Sequence, residues 1–384
     1  MKGSFFCYFS LVVLLGFGLG SCGLMNPSDP PSVPEAEEEE WDKTLTFNDV
    51  TLEQVNAKGQ MVWKVRSPVA RYNDDQKITE VETPTGELFQ DGKLVYSIEA
   101  KRGQVYDDGK KIVLQEDIVA TDMQSNAVLR GHELEWLPEA DLLVVRRSLT
   151  GTHSQVDVSA NEARVQSRQQ RMELIGNAIA TTKEPVLQLR SEHVVWQMDR
   201  QVVTGDRPVT IERYPCESPQ ACAATDVAVG DRAEVNLKTQ IAQLQDNAEL
   251  TLSDPPLTVN SDAMVWDVQG KTVTSDTRVT AIHRQKQFIF SGDRGKLELD
   301  PQIFFLSGTV TGKGGDRLSD LKADRVTWWI PTEEFEAEGN VLYRQADPPL
   351  TLSGPKAFGV LQNQTVKFSG GNVVTEVIPS SNPE

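Results

Sequence analysis

The chain has 384 residues, 24% of them charged, and a net charge of −18 at pH 7. An acidic excess of this size excludes a nucleic-acid binder, whose phosphate partner demands clustered Lys and Arg, and it argues against a surface that wraps densely phosphorylated material. The length would accommodate two or three compact domains at about 150 residues each, so the internal pattern has to decide the organisation.

At the N-terminus, Met1 and Lys2 precede an apolar run from Phe5 to Gly20, and the run ends in Leu19-Gly20-Ser21-Cys22-Gly23. A positive start, an apolar core and small residues before a cleavage point make residues 1–21 a secretory signal peptide. The Leu-Gly-Ser-Cys stretch resembles a bacterial lipobox, which implies cleavage before Cys22 and acylation of its sulfur. The alternative is an uncleaved anchor, although the apolar run is shorter than the roughly 20 residues a membrane span needs. On either reading one end is tied to a membrane and the rest is exported. Residues 22–44 then form a lipid-anchored tether. It is rich in proline and carries the acids Glu35, Glu37, Glu38, Glu39 and Glu40, a composition that stays extended and solvated.

Beyond the tether one pattern recurs ten times. Anchored on an aromatic or aliphatic residue, it reads Tyr72, Val105, Trp136, Val165, Trp196, Val235, Trp266, Leu297, Trp328 and Val360. The period is about 31 residues, and a period of that length marks a repeat architecture whose units bury their apolar faces only by stacking. Each unit holds two stretches of period-two alternation, such as Val194-Val195-Trp196 and Met172-Glu173-Leu174. That alternation puts every second side chain on one face of a strand. Gly176-Asn177, Asp246-Asn247, Gly339-Asn340 and Gly371-Asn372 follow, residues that tolerate the left-handed backbone of turns and bulges. Each unit therefore reads as a hairpin, about twenty short strands in all. Two residues before the anchor the side chain is small in Ala70, Gly103, Ala163, Ala233 and Gly295, but large in Leu134, Val194, Met264 and Val326 of the Trp units. Phe358 breaks the rule. Alternating small and large layers interdigitate, so the expectation is an all-β, elongated, twisted jelly roll: an open two-sheet trough of about ten hairpin repeats.

The one long step, from Trp196 to Val235, contains Cys216 and Cys222. In an oxidising compartment the two plausibly form a small disulfide pinning an insertion at 216–227; two reduced thiols in a loop are the alternative. This insert is also the best candidate for a hinge. It divides a β-roll at 45–215 from a continuation at 228–377, with a tail at 378–384. No chemistry stands out. His132, His153, His193 and His283 are scattered, and no metal site, cofactor motif, phosphate loop or nucleophile elbow is present in the sequence. Asp231, Asp262, Asp293 and Asp324 recur at one place in successive units, which suits a structural role better than the single unique carboxylate pair of a glycosidase. The chain reads as a non-enzyme.

The unit Lys322-Ala-Asp-Arg-Val-Thr-Trp328, continued by Phe335-Glu-Ala-Glu-Gly-Asn-Val341, resembles the repeat of the OstA/LptA-like proteins of lipopolysaccharide export. The earlier stretches Gly59-Gln-Met-Val-Trp-Lys-Val65, Val69-Ala-Arg-Tyr72, Tyr96-Ser-Ile-Glu-Ala-Lys-Arg-Gly-Gln-Val-Tyr106 and Ile112-Val-Leu114 look like LptC, the membrane-tethered periplasmic component. The LptC-like part covers roughly 45–215, and the LptA/OstA-like repeats continue to 377. The resemblance implies a jelly roll whose apolar trough takes the acyl chains of lipopolysaccharide from an inner-membrane ABC transporter. An LptA-like bridge protein, joined by edge-strand pairing, would receive them. It also implies a place in the periplasm, anchored at the inner membrane. The chain departs from the family in being about twice the usual LptC length and in carrying a lipobox in place of a transmembrane anchor. One chain doing the work of both LptC and LptA follows as an expectation.

On this reading Trp136, Trp196, Trp266 and Trp328, with Leu114, Leu174, Leu244, Leu306 and Phe368, line or floor the trough. Plain packing between two sheets uses the same residues, so a structural cell-envelope scaffold with a closed core is the competing expectation.

Overall fold

The computed structural model describes residues 44–314, 319–347, 349–362, 365–371 and 373–377. The signal peptide, Cys22, nearly all of the tether and the tail from 378 lie outside the described residues.

The strand Lys111–Asp122 shows how the architecture arises. Ile112 and Leu114 are buried, Glu116 and Asp117 both adopt left-handed backbone (φ 66° and 50°), and Ile118 and Ala120 are buried again. Pairing to Val128–Leu137 shifts register across this point. Two left-handed residues in mid-strand make a bulge that bends the strand without ending it. The first half lies in one layer and the second half in the other, and both halves turn their apolar faces inward. The same device recurs at Arg147 and Ser148, Gly176 and Asn177, Asp246 and Asn247, Gly308, and Gly339 and Asn340. The strands holding these pairs run 11 or 12 residues each.

Here the structure corrects the short-hairpin expectation. Gly176-Asn177, Asp246-Asn247 and Gly339-Asn340 are not reversals between strands but creases within them. Asn372 lies outside the described residues. Elsewhere the crease is a full break, as between Val202–Gly205 and Val209–Tyr214, which both pair with Val186–Gln197.

Among the described residues every strand pairing is antiparallel, from Thr44–Val55 to Val374–Val377; long strands pair with the next long strand, and the short strands that replace a bent one pair past each other, as Val202–Gly205 does with Arg232–Asn236. The result is an all-β jelly roll of two facing arms around a single apolar core. Small residues let the arms close on each other. A Cβ on Gly295 would come within 2.6 Å of Val279 Cγ1 on the opposite arm, and one on Gly205 within 2.5 Å of Val209 Cγ2.

The insertion does not interrupt the ladder. Leu189 faces Ile211, Ile211 faces Ala228 and Ala228 faces Leu250. The extra residues lengthen only the turn between Tyr214 and Asp226, where Cys216 and Cys222 are joined as a disulfide. Buried Asp226 holds the base of that turn by accepting from Arg213 Nε at 2.5 Å.

Asp231, Asp293 and Asp324 of the periodic aspartates belong to the crease. Asn247 Nδ2 donates to Asp231 at 2.7 Å, the Thr309 backbone N–H donates to Asp293 at 2.7 Å, and Asn340 Nδ2 donates to Asp324 at 2.9 Å. Each pins a left-handed bend to the neighbouring strand.

Candidate functional site

The nine residues expected to line a trough fall together on one arm, in two adjacent inward rows. In the first row Trp136 pairs with Leu143, Leu143 with Val165, Val165 with Met172, and Met172 with Trp196. The row continues through Val203, Val235 and Ala242 to Trp266, then through Val273, Leu297 and Phe304 to Trp328. The second row contains Leu114, Leu174, Leu244, Leu306 and, at its end, Phe368 beside Ala357. All are buried to 4% exposure or less, except Phe368, which is partly buried. Successive Trp residues stand four strands apart, about 19 Å at the ladder spacing.

Each Trp sits two residues before a turn: 138–141, 198–201, 268–271 and 330–333. Those turns form one lip. The ends of the opposite arm, at 123–127, 153–155, 183–185, 253–256 and 284–288, form the other. The arms meet at the crease, so the two lips bound a lateral mouth, and the Trp row is the last inward layer beneath it.

Among the described residues, polar contacts bridge this mouth at four places. Ser167 Oγ donates to Tyr96 Oη at 3.3 Å, Gln240 Nε2 to the Glu184 carbonyl at 3.3 Å, Gln302 Nε2 to Asp254 at 2.9 Å, and Lys286 Nζ to Glu333 at 3.2 Å. Burial pushes the Tyr96 phenol up to about 12, so it stays neutral in its bridge.

Between the bridges the mouth is gapped. A pocket of about 270 Å³ opens over Trp196, edged by Tyr96, His153, Gln170 and Gln201. A second, of about 210 Å³, lies between Thr182–Leu187 and Val235–Gln240. Near the C-terminal end an apolar cleft of about 40 Å³ is lined by Phe288, Phe290, Phe335, Leu361 and Val366.

Two histidines reach across from the far lip to the Trp row. His153 stands edge-on to Trp196 with ring centroids 5.1 Å apart, and buried His283 lies 6.2 Å from Trp328. Burial holds both imidazoles below the ordinary histidine range. Neither was singled out from the sequence, where all four histidines looked scattered; His193 pairs with Asp206 at 2.8 Å.

The other half of the interior escaped the sequence reading altogether. Ala120, Leu129, Val158, Ala180, Leu189 and Ile211 begin a matching inward row on the far arm. The alternation of Ile118 and Ala120 beyond the bulge was the available signal. Anchoring on Trp concealed it.

The indole nitrogens of Trp136, Trp196, Trp266 and Trp328 are buried, and none has a hydrogen-bond partner among the described residues. Trp63, by contrast, donates Nε1 to Gln54 at 2.6 Å. A buried donor left unmade costs roughly 1–3 kcal/mol, and most buried polar groups are satisfied. Four exceptions at one repeat position are therefore a property of the repeat. Among the described residues no cluster of three or more His, Cys, Asp or Glu could hold a metal ion, and no helix is long and apolar enough to cross a membrane.

Fold and interior together define a class: a two-layer β-jelly-roll with a continuous apolar interior beneath a lateral mouth. A family model described as lipopolysaccharide-assembly, LptC-related, matches residues 11–133 and 146–218, more than half of the chain. The chain belongs to this family. Among solved structures it is similar to LptH of Pseudomonas aeruginosa, described as the LptA homologous periplasmic component of the conserved lipopolysaccharide transport device. The identity is 21% over 31% of this chain and 79% of that chain, with a TM-score of 0.27. No curated protein matches the chain.

Proposed function

We propose that this chain is a periplasmic bridge component of lipopolysaccharide export. It accepts the lipid from an inner-membrane ABC transporter and passes the acyl chains along the space between its arms toward the outer membrane. The observation that carries this reading is the unbroken pair of inward apolar rows beneath a gapped mouth, in a member of the LptC-related family. Each methylene kept out of water is worth about 0.8 kcal/mol, so a multi-chain lipid needs a continuous apolar path. The acylated Cys22 and the acidic tether would hold this path at the periplasmic face of the inner membrane. The roll at 45–215 would receive the lipid, and the continuation at 228–377 would extend the bridge.

The ends support partners on both sides. Among the described residues the strand Thr44–Val55 pairs with Met61–Asn73, and its inward-facing Leu45 and Phe47 are 57% and 46% exposed. At the far end Val374 is 62% exposed. A repeat stack normally caps its terminal units with polar faces. Exposed apolar side chains on the first and last described strands suit β-augmentation by the transporter's periplasmic part and by an LptA-like bridge protein. Replacing Leu45 and Phe47 together by Glu should abolish co-purification with the transporter while leaving the far-UV circular dichroism of the roll intact; retained co-purification would rule out this edge.

A scaffold with a closed core remains the second reading, because the lining side chains are nearly fully buried and the mouth is bridged. In-cell photocrosslinking separates the two. A photoreactive residue at Leu244 or Trp266 should give lipopolysaccharide adducts that depend on ATP. Absence of adducts at every inward position of both rows would establish the scaffold.

A further inference from the structure

We propose that Trp136, Trp196, Trp266 and Trp328 act as hydrogen-bond stations for the oxygen atoms at the head of acyl chains, the ester, amide or hydroxyacyl oxygens of a passing lipid. The inference rests on the transport reading and specifies what the interior recognises beyond hydrocarbon.

Three observations converge. The four indole nitrogens are buried and unpartnered among the described residues, although each belongs to a side chain at least nine-tenths buried. A position that needed only bulk and apolarity would accept phenylalanine, and Phe304 and Phe335 flank Trp328 in the same row. The indole is thus the one feature of these sites that packing does not require.

Their placement gives the second observation. All four lie in the layer directly beneath the lip, two residues before a turn. A lipid with its chains in the core and its head outside would put its acyl oxygens at that depth. The pocket over Trp196 has the corresponding character, with Tyr96, His153, Gln170 and Gln201 around its edge and Val165 and Trp196 in its wall.

The third is the spacing. Successive indoles are about 19 Å apart, four ladder steps each, and they occupy the same position in successive repeats. Equivalent donors at equal intervals offer a lipid the same contact at every station. None is a deep well, so recognition does not stall movement. A donor held desolvated also forms its hydrogen bond without first giving up water, which favours the occupied state.

The test uses the full-length protein and a matched pair of fluorescent probes. One is a pyrene-labelled diacyl phosphatidylglycerol, and the other is its dialkyl ether analogue, with equal chains but no carbonyl acceptors. The native protein should prefer the ester probe by about three- to tenfold, the range that one neutral hydrogen bond supplies. The variant carrying Trp136→Phe, Trp196→Phe, Trp266→Phe and Trp328→Phe should bind both probes equally. Indole 15N–1H resonances of the native protein supply a readout that needs no variant: the four buried indoles should shift with the ester probe and not with the ether. No ester preference in the native protein, a preference surviving in the variant, or identical shifts with both probes would each overturn the proposal. Those outcomes leave the transport reading standing. Binding of neither probe would likewise overturn the proposal, and the in-cell lipopolysaccharide adducts decide the transport reading separately.

Discussion

At the scale of single residues, the interior is a chemical choice as well as an apolar one. Tryptophan recurs where leucine or phenylalanine would pack, and two histidines lean on its rings from the facing lip. These histidines have a measurable consequence. Burial lowers both pKa values from 6.5, with Asp122 opposing the shift at His153 and Glu333 opposing it at His283. The unfolded chain therefore binds more protons than the folded one once pH falls through the ordinary histidine range, and folding stability drops with it. Urea midpoints should be flat above about pH 7, where both states are neutral, and should fall as pH decreases below about 6.5. The double replacement His153→Phe and His283→Phe should reduce that slope; an unchanged slope would assign the acid sensitivity elsewhere. Much of this scale was legible in advance. The Trp and Leu positions follow from period-two alternation, and all nine fell on one arm. The histidine contacts were not legible, because they join residues 43 and 45 positions apart across the mouth, a distance that no local spacing encodes.

At the scale of the element, the unit is the bent strand. A pair of left-handed residues at mid-strand turns a single run into two layers, and the aspartate row fastens the bend. Gly339 marks the most demanding case. Its φ is +76°, and a Cβ there would lie 2.3 Å from Asp324 Oδ2 and 2.9 Å from the Asp324 Cβ. Gly339→Val should cost about 2 kcal/mol or more, from the left-handed backbone together with the displaced carboxylate. Gly370→Val should cost less, since the nearest atom there is 3.7 Å away. Guanidinium denaturation of the two variants measures the difference, and equal losses would count against the crease as the strained point. Sequence showed the turn-prone pairs but not their role. Gly-Asn has the same backbone freedom in a hairpin as in a bulge, and only the register of the neighbouring strand decides between them.

At the scale of the whole β unit, what matters is the mouth. Four bridges among the described residues span it, yet each is a single side-chain contact, and such contacts contribute about 0.5–1.5 kcal/mol net. Opening one is therefore within reach of an arriving lipid. A covalent bridge is a different matter. With Asp254→Cys and Gln302→Cys joined by a short bismaleimide, lipid transfer beyond that point should stop, while the monofunctional adduct at the same two cysteines should still permit it. Equal transfer in both would show that the lips need not part there. Two facing sheets with an open side were expected from the sequence, but the bridges were out of its reach, since each depends on which turns come to face each other after the strands fold at their creases.

The step-by-step ladder has one more implication. The number of repeats is a gauge: every ladder step adds about 4.8 Å, and nothing in the register ties the gauge to a fixed reading. A chain lacking residues 267–328 would join Trp266 directly to Trp329, keep each remaining contact in phase, and fold as a shorter member of the same series, detectable as one cooperative thermal transition. In cells such a protein would be well made and too short, and its failure would measure the width of the gap that the intact molecule is cut to cross.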